Sequence, residues 1–296
     1  MNIGRLGIFL LADVHPAPDL VALTKRAEDW GYGTVWIPEA FARNPMVGAA
    51  LILANTDKLN VATGIANIYA RDSLATVNAQ YGLAEMSNGR FLLGLGVSHR
   101  ALVEGMRGQQ YQDKPLALMR SYLERMRATE YQGPPPPEKP ATVLGALGPK
   151  MLALSASHAD GAHPYNVTPD HTKSAREILG PGKLLCPEQK VLLETDASKA
   201  RAIAREALAL YLTLPNYRNN FTRMGFSDED MDNGGSDRLV DAMVAWGDEG
   251  AIRKRLQEHF DAGADHVAVN VLAQKDRTIT REDEKILELL APGNEG

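Results

Sequence analysis

The sequence predicts an α/β fold, a (β/α)8 TIM barrel built as one domain over residues 1–296. Three observations carry that expectation. Short apolar runs rich in β-branched residues alternate with longer segments of helical periodicity, the pattern of parallel βαβ units. The alternation reaches eight strands with no shift in composition. The first glycine-rich turn is not a dinucleotide fingerprint, which argues against a doubly wound open sheet. With 296 residues and 44% hydrophobic content the chain has ample material for one such core.

Taken in order, the first strand occupies residues 6–11. After a proline-flanked loop a helix runs over 19–30, with Leu20, Leu23, Ala27 and Trp30 on one face and Gly31 as its stop. The second strand is 34–37, with an apolar helix over 46–56. The third is 59–65, with a helix over 73–86, and the fourth 90–96, with a helix over 115–128. Pro134 to Pro137 reads as a stiff surface connection rather than a domain linker. Strand five is 141–145, before a helix over 149–159. Strand six is 161–163, before a helix over 169–179. Strand seven is 190–193, before a long helical stretch over 198–214. Residues 215–235 read as loop and short helix, 236–262 as helical, and 266–271 as the eighth strand. The charged tail from Lys275 carries one helical patch near 286–290.

A net charge of −5 gives no basic surface for nucleic acid and no polybasic membrane patch. The one cysteine, Cys186, has no internal disulfide partner, which suits a reducing, cytoplasmic setting. The apolar run at residues 6–12 is too short for a secretory core or a membrane span.

A barrel of this kind carries its site on the loops that follow the strands. Those positions hold Asp13 and His15, Glu39, Asn67 to Arg71, Ser98-His99-Arg100, Ala146 to Lys150, His163 to Asn166, and Asn270. His15 reads as a solvated loop residue, and Asp72 as a cap for the helix at Ser73. Glu39 follows an apolar strand directly, where a carboxylate calls for a polar site. Gly94-Leu95-Gly96 is a lone G-x-G, with His99 where a third glycine would fall. His158, Asp160 and His163 match no zinc spacing, so no metal is expected. Residues 227–232 are acidic but lack the glycine and final Glu of a calcium loop. The turn Gly145-Ala146-Leu147-Gly148-Pro149, with Lys150 beside it, is a candidate phosphate cradle: Pro149 suits a first helical position, and the free N–H groups favour an anion. An ordinary tight βα turn is the competing reading of the same residues.

Several segments together resemble the luciferase-like oxidoreductases. They are Ala27-Glu28-Asp29-Trp30-Gly31-Tyr32-Gly33-Thr34-Val35-Trp36, Thr63-Gly64-Ile65-Ala66-Asn67-Ile68, the turn at Gly145 to Pro149, and, most specific, Ser87-Asn88-Gly89-Arg90-Phe91-Leu92-Leu93-Gly94-Leu95-Gly96. The resemblance implies a bacterial-luciferase-like barrel with insertions. It is stronger to the branch that uses the deazaflavin coenzyme F-420, of actinobacterial type, through residues 62–68, Gly96-Val97-Ser98-His99, 214–220 and 234–240. The resemblance implies a third-strand bulge, with a non-prolyl cis peptide at Gly64-Ile65, that backs the coenzyme ring. It also implies that Thr63, Ala66, Asn67, Val97, Ser98 and His163 line the coenzyme and that residues 145–150 hold its phosphate. Glu39 and His99 are the candidate proton donor or acceptor. One departure stands out: sugar-phosphate dehydrogenase relatives carry an Asp-His pair where this chain has Glu39-Ala40, so their substrate does not transfer. The expected activity is hydride transfer between F-420 and a small organic substrate. The alternatives are a two-component monooxygenase using reduced FMN and a non-catalytic coenzyme-binding protein. A homodimer through an apolar helix such as 46–54 is a further expectation.

Overall fold

The computed structural model describes residues 1–272 and 278–294. Its strands are β1 (Leu6–Phe9), β2 (Thr34–Ile37), β3 (Asn60–Thr63), β4 (Ala66–Asn67), β5 (Phe91–Gly96), β6 (Thr142–Leu144), β7 (Gly161–Ala162), β8 (Leu184–Leu185), β9 (Glu188–Leu193), β10 (Val244–Gly247) and β11 (Val267–Val271). The helices are α1 (Ala17–Asp29), α2 (Pro45–Leu53), α3 (Ser73–Met86), α4 (Pro115–Ala128), α5 (Pro149–His158), α6 (Pro169–Leu179), α7 (Ala197–Leu208), α8 (Pro215–Arg223), α9 (Asp228–Met231), α10 (Asp237–Met243), α11 (Glu249–Asp261) and α12 (Glu284–Leu289).

Every strand pairing is parallel, in the order β10-β9-β11-β1-β2-β3-β5-β6-β7-β8, with β4 beside β5. Only Cys186 and Pro187 separate β8, at one end of this order, from β9 near the other. Proline has no N–H to donate, which explains the break in the ladder there. Its carbonyl still accepts from Ala268 N at 2.9 Å.

Alternating side chains sort into two layers. Phe9, Trp36, Ala62 and Leu92 are successive register partners and form, with Ile3, Val143, Cys186 and Ala268, the cluster inside the curl. Ile8, Val35, Ile37, Val61 and Leu93 face the helices in the larger cluster outside. Bulky and small side chains thus interdigitate, as close packing requires.

Five expectations need correction. The helical reading of 236–262 is interrupted by β10, because Gly247 has φ of +136°, outside helical space, and Val244–Gly247 pair with Lys190–Leu193. The long helix over 198–214 ends at Leu208, with a separate 3-10 turn at Tyr211–Thr213. Residues 215–235 hold two helices, α8 and α9. A six-residue π-helix, Ala101–Met106, follows the fourth main strand where none was foreseen. Strand seven, expected over 190–193, is preceded by the unforeseen β8 at Leu184–Leu185. The other boundaries match within a few residues, and α3, α4 and α6 match at both ends. Pro134 to Pro137 run largely exposed between α4 and β6. The start of the charged tail, Lys275 included, lies outside the described residues. No helix among the described residues is long and apolar enough to cross a membrane.

Candidate functional site

The third main strand breaks at the mouth of the curl. β3 ends at Thr63, β4 resumes at Ala66, and the Gly64–Ile65 peptide between them is cis. Gly64 N donates to Ile37 O at 2.9 Å and Glu39 N to Ile65 O at 3.2 Å, stitching the break to the end of β2. Thr63 Oγ1 donates to Gly94 O at 2.7 Å and accepts from Gly94 N at 2.8 Å. The side chain of Ile65 fills room left by three glycines. A Cβ on Gly96 would lie 2.3 Å from Ile65 Cδ1, one on Gly145 3.3 Å from Ile65 Cγ2, and one on Gly94 1.9 Å from Thr63 O. The lone G-x-G motif is therefore a packing device for the break. Gly64 and Ile65 are half-buried while Thr63 and Ala66 are buried, so the break presents surface at the mouth.

His163 lies behind Gly64. Its ring stacks on Trp36 at 4.1 Å and 9°, and its Nδ1–H donates to Cys186 O at 2.7 Å. The proton on Nδ1 leaves Nε2 as an acceptor, and this buried atom has no partner. A Cβ on Gly64 would sit 3.0 Å from it. Burial pushes the imidazole pKa down to about 4, so the ring is neutral at pH 7. Trp36 Nε1 in turn donates to His266 Nε2 at 2.9 Å.

Glu39 is held on several sides. Arg71 grips it with two bonds of 2.9 and 2.8 Å, Arg107 reaches it at 3.4 Å, and Asn67 N donates to it at 2.7 Å. Its side chain is only 9% exposed. Asp72 caps α3 by accepting from Ala75 N at 2.7 Å, as its position suggested. Asp13 accepts from the N–H groups of Phe41, Ala42 and Arg43 and so fixes the loop after β2. His15 is not solvated, contrary to expectation: it is 4% exposed with an unpartnered Nε2, because the loop it occupies folds under Arg43.

Ser98 adopts a left-handed conformation, φ +56°, at the end of β5, and His99 follows it half-buried. The His99 ring lies 5.7 Å from Tyr217, and its pKa is lowered by burial against an opposing hydrogen bond with Asn216. Both partners belong to α8, whose far end brings Arg223 to the Gly148 turn. There Gly148 is the N-cap of α5 with no side-chain cap, Pro149 is the first helical residue, and Pro149 and Lys150 are exposed. A Cβ on Gly148 would lie 3.3 Å from the Arg223 guanidinium.

Sequence reasoning placed Tyr165, Asn166 and Asn270 at strand ends but overlooked Glu188 and Lys190, which join them in a buried polar cluster. Lys190 Nζ donates to Glu188 Oε1 at 2.9 Å and Asn166 Oδ1 at 2.5 Å, while Asn270 Nδ2 donates to Glu188 Oε1 at 2.6 Å. Lys190 Nζ also lies 3.9 Å from the centroid of the Tyr165 ring, a cation–π contact. Tyr165 and Tyr211 share a hydroxyl contact of 3.0 Å, and Tyr217 packs edge-on to Tyr211 at 5.0 Å. The signal available was the polar stretch Glu188-Gln189-Lys190 entering an otherwise apolar strand.

Comparison with known proteins identifies the family and the fold. A family model described as luciferase-like monooxygenase matches residues 4–266. A Mycobacterium tuberculosis protein, provisionally named a coenzyme F-420-dependent oxidoreductase, is 29% identical over 240 residues, covering 67% of this chain and 69% of the relative. The solved F-420-dependent tetrahydromethanopterin reductase of Methanopyrus kandleri superposes with a TM-score of 0.76 at 21% identity, covering 97% of each chain. A Pseudomonas putida type II Baeyer–Villiger monooxygenase solved with FMN gives 0.69 at 15% identity, covering 97% of this chain and 96% of that one. These likenesses to solved structures speak to the fold. The family match, spanning most of the curled sheet and its mouth, establishes that the chain belongs to the luciferase-like monooxygenase family.

Proposed function

We propose that this chain is an oxidoreductase that transfers a hydride between coenzyme F-420 and a small organic substrate, at the mouth of a (β/α)8 barrel formed by the curled sheet. The observation that carries the reading is the break at Gly64–Ile65: a partly open surface in a buried strand, cleared by Gly94, Gly96 and Gly145, with an unpartnered His163 Nε2 behind it. These residues fit a flat ring that brings its own hydrogen-bonding edge. F-420, when bound, supplies the two-electron hydride chemistry, and the protein's part is binding and orientation. In this reading Thr63, Gly64, Ile65, Ala66 and Asn67 back the ring, Val97 and Ser98 flank it, and the turn from Gly145 to Lys150 holds the phosphate.

Of the two proton carriers suggested by the sequence, the geometry favours His99. Its lowered pKa keeps a free base available near neutrality. Glu39 has its oxygens engaged by Arg71, Arg107 and Asn67 N, which suits an anchor for the bulge better than a mobile base. We also read α2 and α3 as a homodimer contact, since Val47 on α2 and Leu74 and Met86 on α3 are each more than half exposed, and Phe41 in the loop before α2 is half exposed. The lone buried cysteine suits the reducing cytoplasm.

Parallel calorimetric titrations with F-420 and FMN test the assignment. Saturable F-420 binding is the expected result, and no heat at tens of micromolar coenzyme refutes it. Preferential FMN binding, with oxygen consumption when a flavin reductase is supplied, selects the monooxygenase reading. Binding without turnover in any assay, unaltered in His99→Ala, selects a carrier.

A further inference from the structure

From the geometry of the α5 turn we infer that His171 and Arg223 complete its anion site: His171 orients the Gly148 N–H outward, and Arg223 supplies the opposing charge. The inference rests on the reading of that turn as the coenzyme's phosphate site, and it adds two residues that the strand-end pattern did not point to.

His171 lies in the first turn of α6 and is buried. Its Nε2–H donates to Leu147 O at 2.7 Å. In a trans peptide the carbonyl and the following N–H point in opposite directions. Tying Leu147 C=O back toward α6 therefore aims Gly148 N–H away from α6. Gly148 is the N-cap of α5, where N–H groups lack intrahelical partners and the helix dipole is positive. Such an end is ordinarily capped by a hydroxyl or carboxylate acceptor. Here no side chain caps it and its first turn holds no acidic residue.

Cations collect at this end instead. Lys150 is exposed in the first turn, and Arg223 reaches over from α8 to within 3.3 Å of where a Gly148 Cβ would be. Arg223 makes no hydrogen bond or ion pair among the described residues. Positive charge at a helix N-terminus is unfavourable for the bare protein. The other arginines of α8 and α10 do find carboxylates: Arg218 pairs with Asp228 and Asp232, and Arg238 with Asp230. Arg223 alone of these points at the turn. His171 carries its proton on Nε2, so its unpartnered Nδ1 is an acceptor and makes no bond to an anion. The ring stays neutral because burial, and the Arg223 charge beside it, lower its pKa. The ligand that balances this arrangement is a phosphate monoester or diester, held by backbone N–H groups and a guanidinium. Glycine at 148 leaves room for the guanidinium, since a Cβ there would lie 3.3 Å from it.

The test compares coenzyme F-420 with its phosphate-free chromophore, 8-hydroxy-5-deazariboflavin, by fluorescence titration. Arg223→Leu is expected to weaken F-420 binding about tenfold, the scale of one hydrogen bond to a charged group, and to leave the riboside unchanged. His171→Phe is expected to do the same, and His171→Gln, whose amide can still donate to Leu147 O, to recover most of the loss. Equal weakening of both ligands, or no weakening of either, overturns the inference. If the wild type binds neither ligand, the coenzyme reading fails separately, and inorganic phosphate decides the site. A phosphate-dependent rise in Tm that Arg223→Leu abolishes sustains it; no rise in the wild type overturns it.

Discussion

Replacing Lys190 by Met removes one half of a fully buried ion pair. Lys190 and Glu188 side chains are 2% and 1% exposed and meet at 2.9 Å. The substitution keeps most of the side-chain volume, so packing loss is small. What remains is Glu188 without its cation, supported only by Asn270 Nδ2 at 2.6 Å and Asn166 N at 3.3 Å. Asn166 also loses the ammonium at its Oδ1. Breaking a buried pair from one side typically costs about 3–5 kcal/mol, because the uncompensated charge bears the full desolvation penalty. Against a domain stability of roughly 5–15 kcal/mol this is a large fraction. Removing both charges in Glu188→Gln/Lys190→Met should restore most of the loss, since neither partner is then stranded. Urea unfolding followed by circular dichroism, with an unchanged m-value, measures the cycle. A Lys190→Met cost under about 1 kcal/mol, or a double variant as unstable as the sum of the singles, would show that this pair does not behave as a buried ion pair.

The remaining predictions concern pH, the strand break and the surface. Burial lowers the pKa of His163 and His266 to about 4 and of His259 to about 3. The unfolded chain protonates all three near pH 6.5, so their contribution to stability is fully present above that pH and is lost as pH falls toward 4. The loss amounts to roughly 3–5 kcal/mol apiece when complete; urea midpoints that stay flat between pH 6.5 and 5 contradict it. Gly96→Ala forces Ile65 to shift and should weaken coenzyme binding about tenfold, whereas Gly82→Ala, in open space on α3, should raise stability by about 0.5–1 kcal/mol. Equal effects in paired titrations and melts would count against the packing role of Gly96. Glu39→Gln breaks a shielded bidentate pair and should lower Tm by roughly 5 °C, from a loss of about 2 kcal/mol; an unchanged melt removes Glu39 as an anchor. Val47→Lys should yield monomers in sedimentation velocity if α2 forms the dimer contact, and an unaltered sedimentation coefficient points the contact elsewhere.

Local sequence decided the α/β class, the eight principal strands and most helix limits. Apolar periodicity and capping residues act over a few positions, and the parallel ladder follows from strands separated by helices. Thus Asp72 at the start of α3 and Pro149 at the start of α5 were readable one residue at a time. The break at Gly64–Ile65 was readable only as a resemblance. No local rule reveals that Gly94, Gly96 and Gly145, up to 80 residues away in the chain, clear the room that Ile65 fills. Long-range electrostatics were hidden for the same reason. Glu39 read as a proton carrier in a polar site, and only folding brought Arg71 and Arg107 to it. His15 looked solvated until its loop was covered. Glu188, Lys190, Asn166 and Asn270 come from three separate strand ends, and their pairing exists only once the curled sheet sets those ends side by side. Periodicity records which face of an element is buried. Which polar group meets which inside the mouth depends on strand order and register, and the tertiary structure alone decided that.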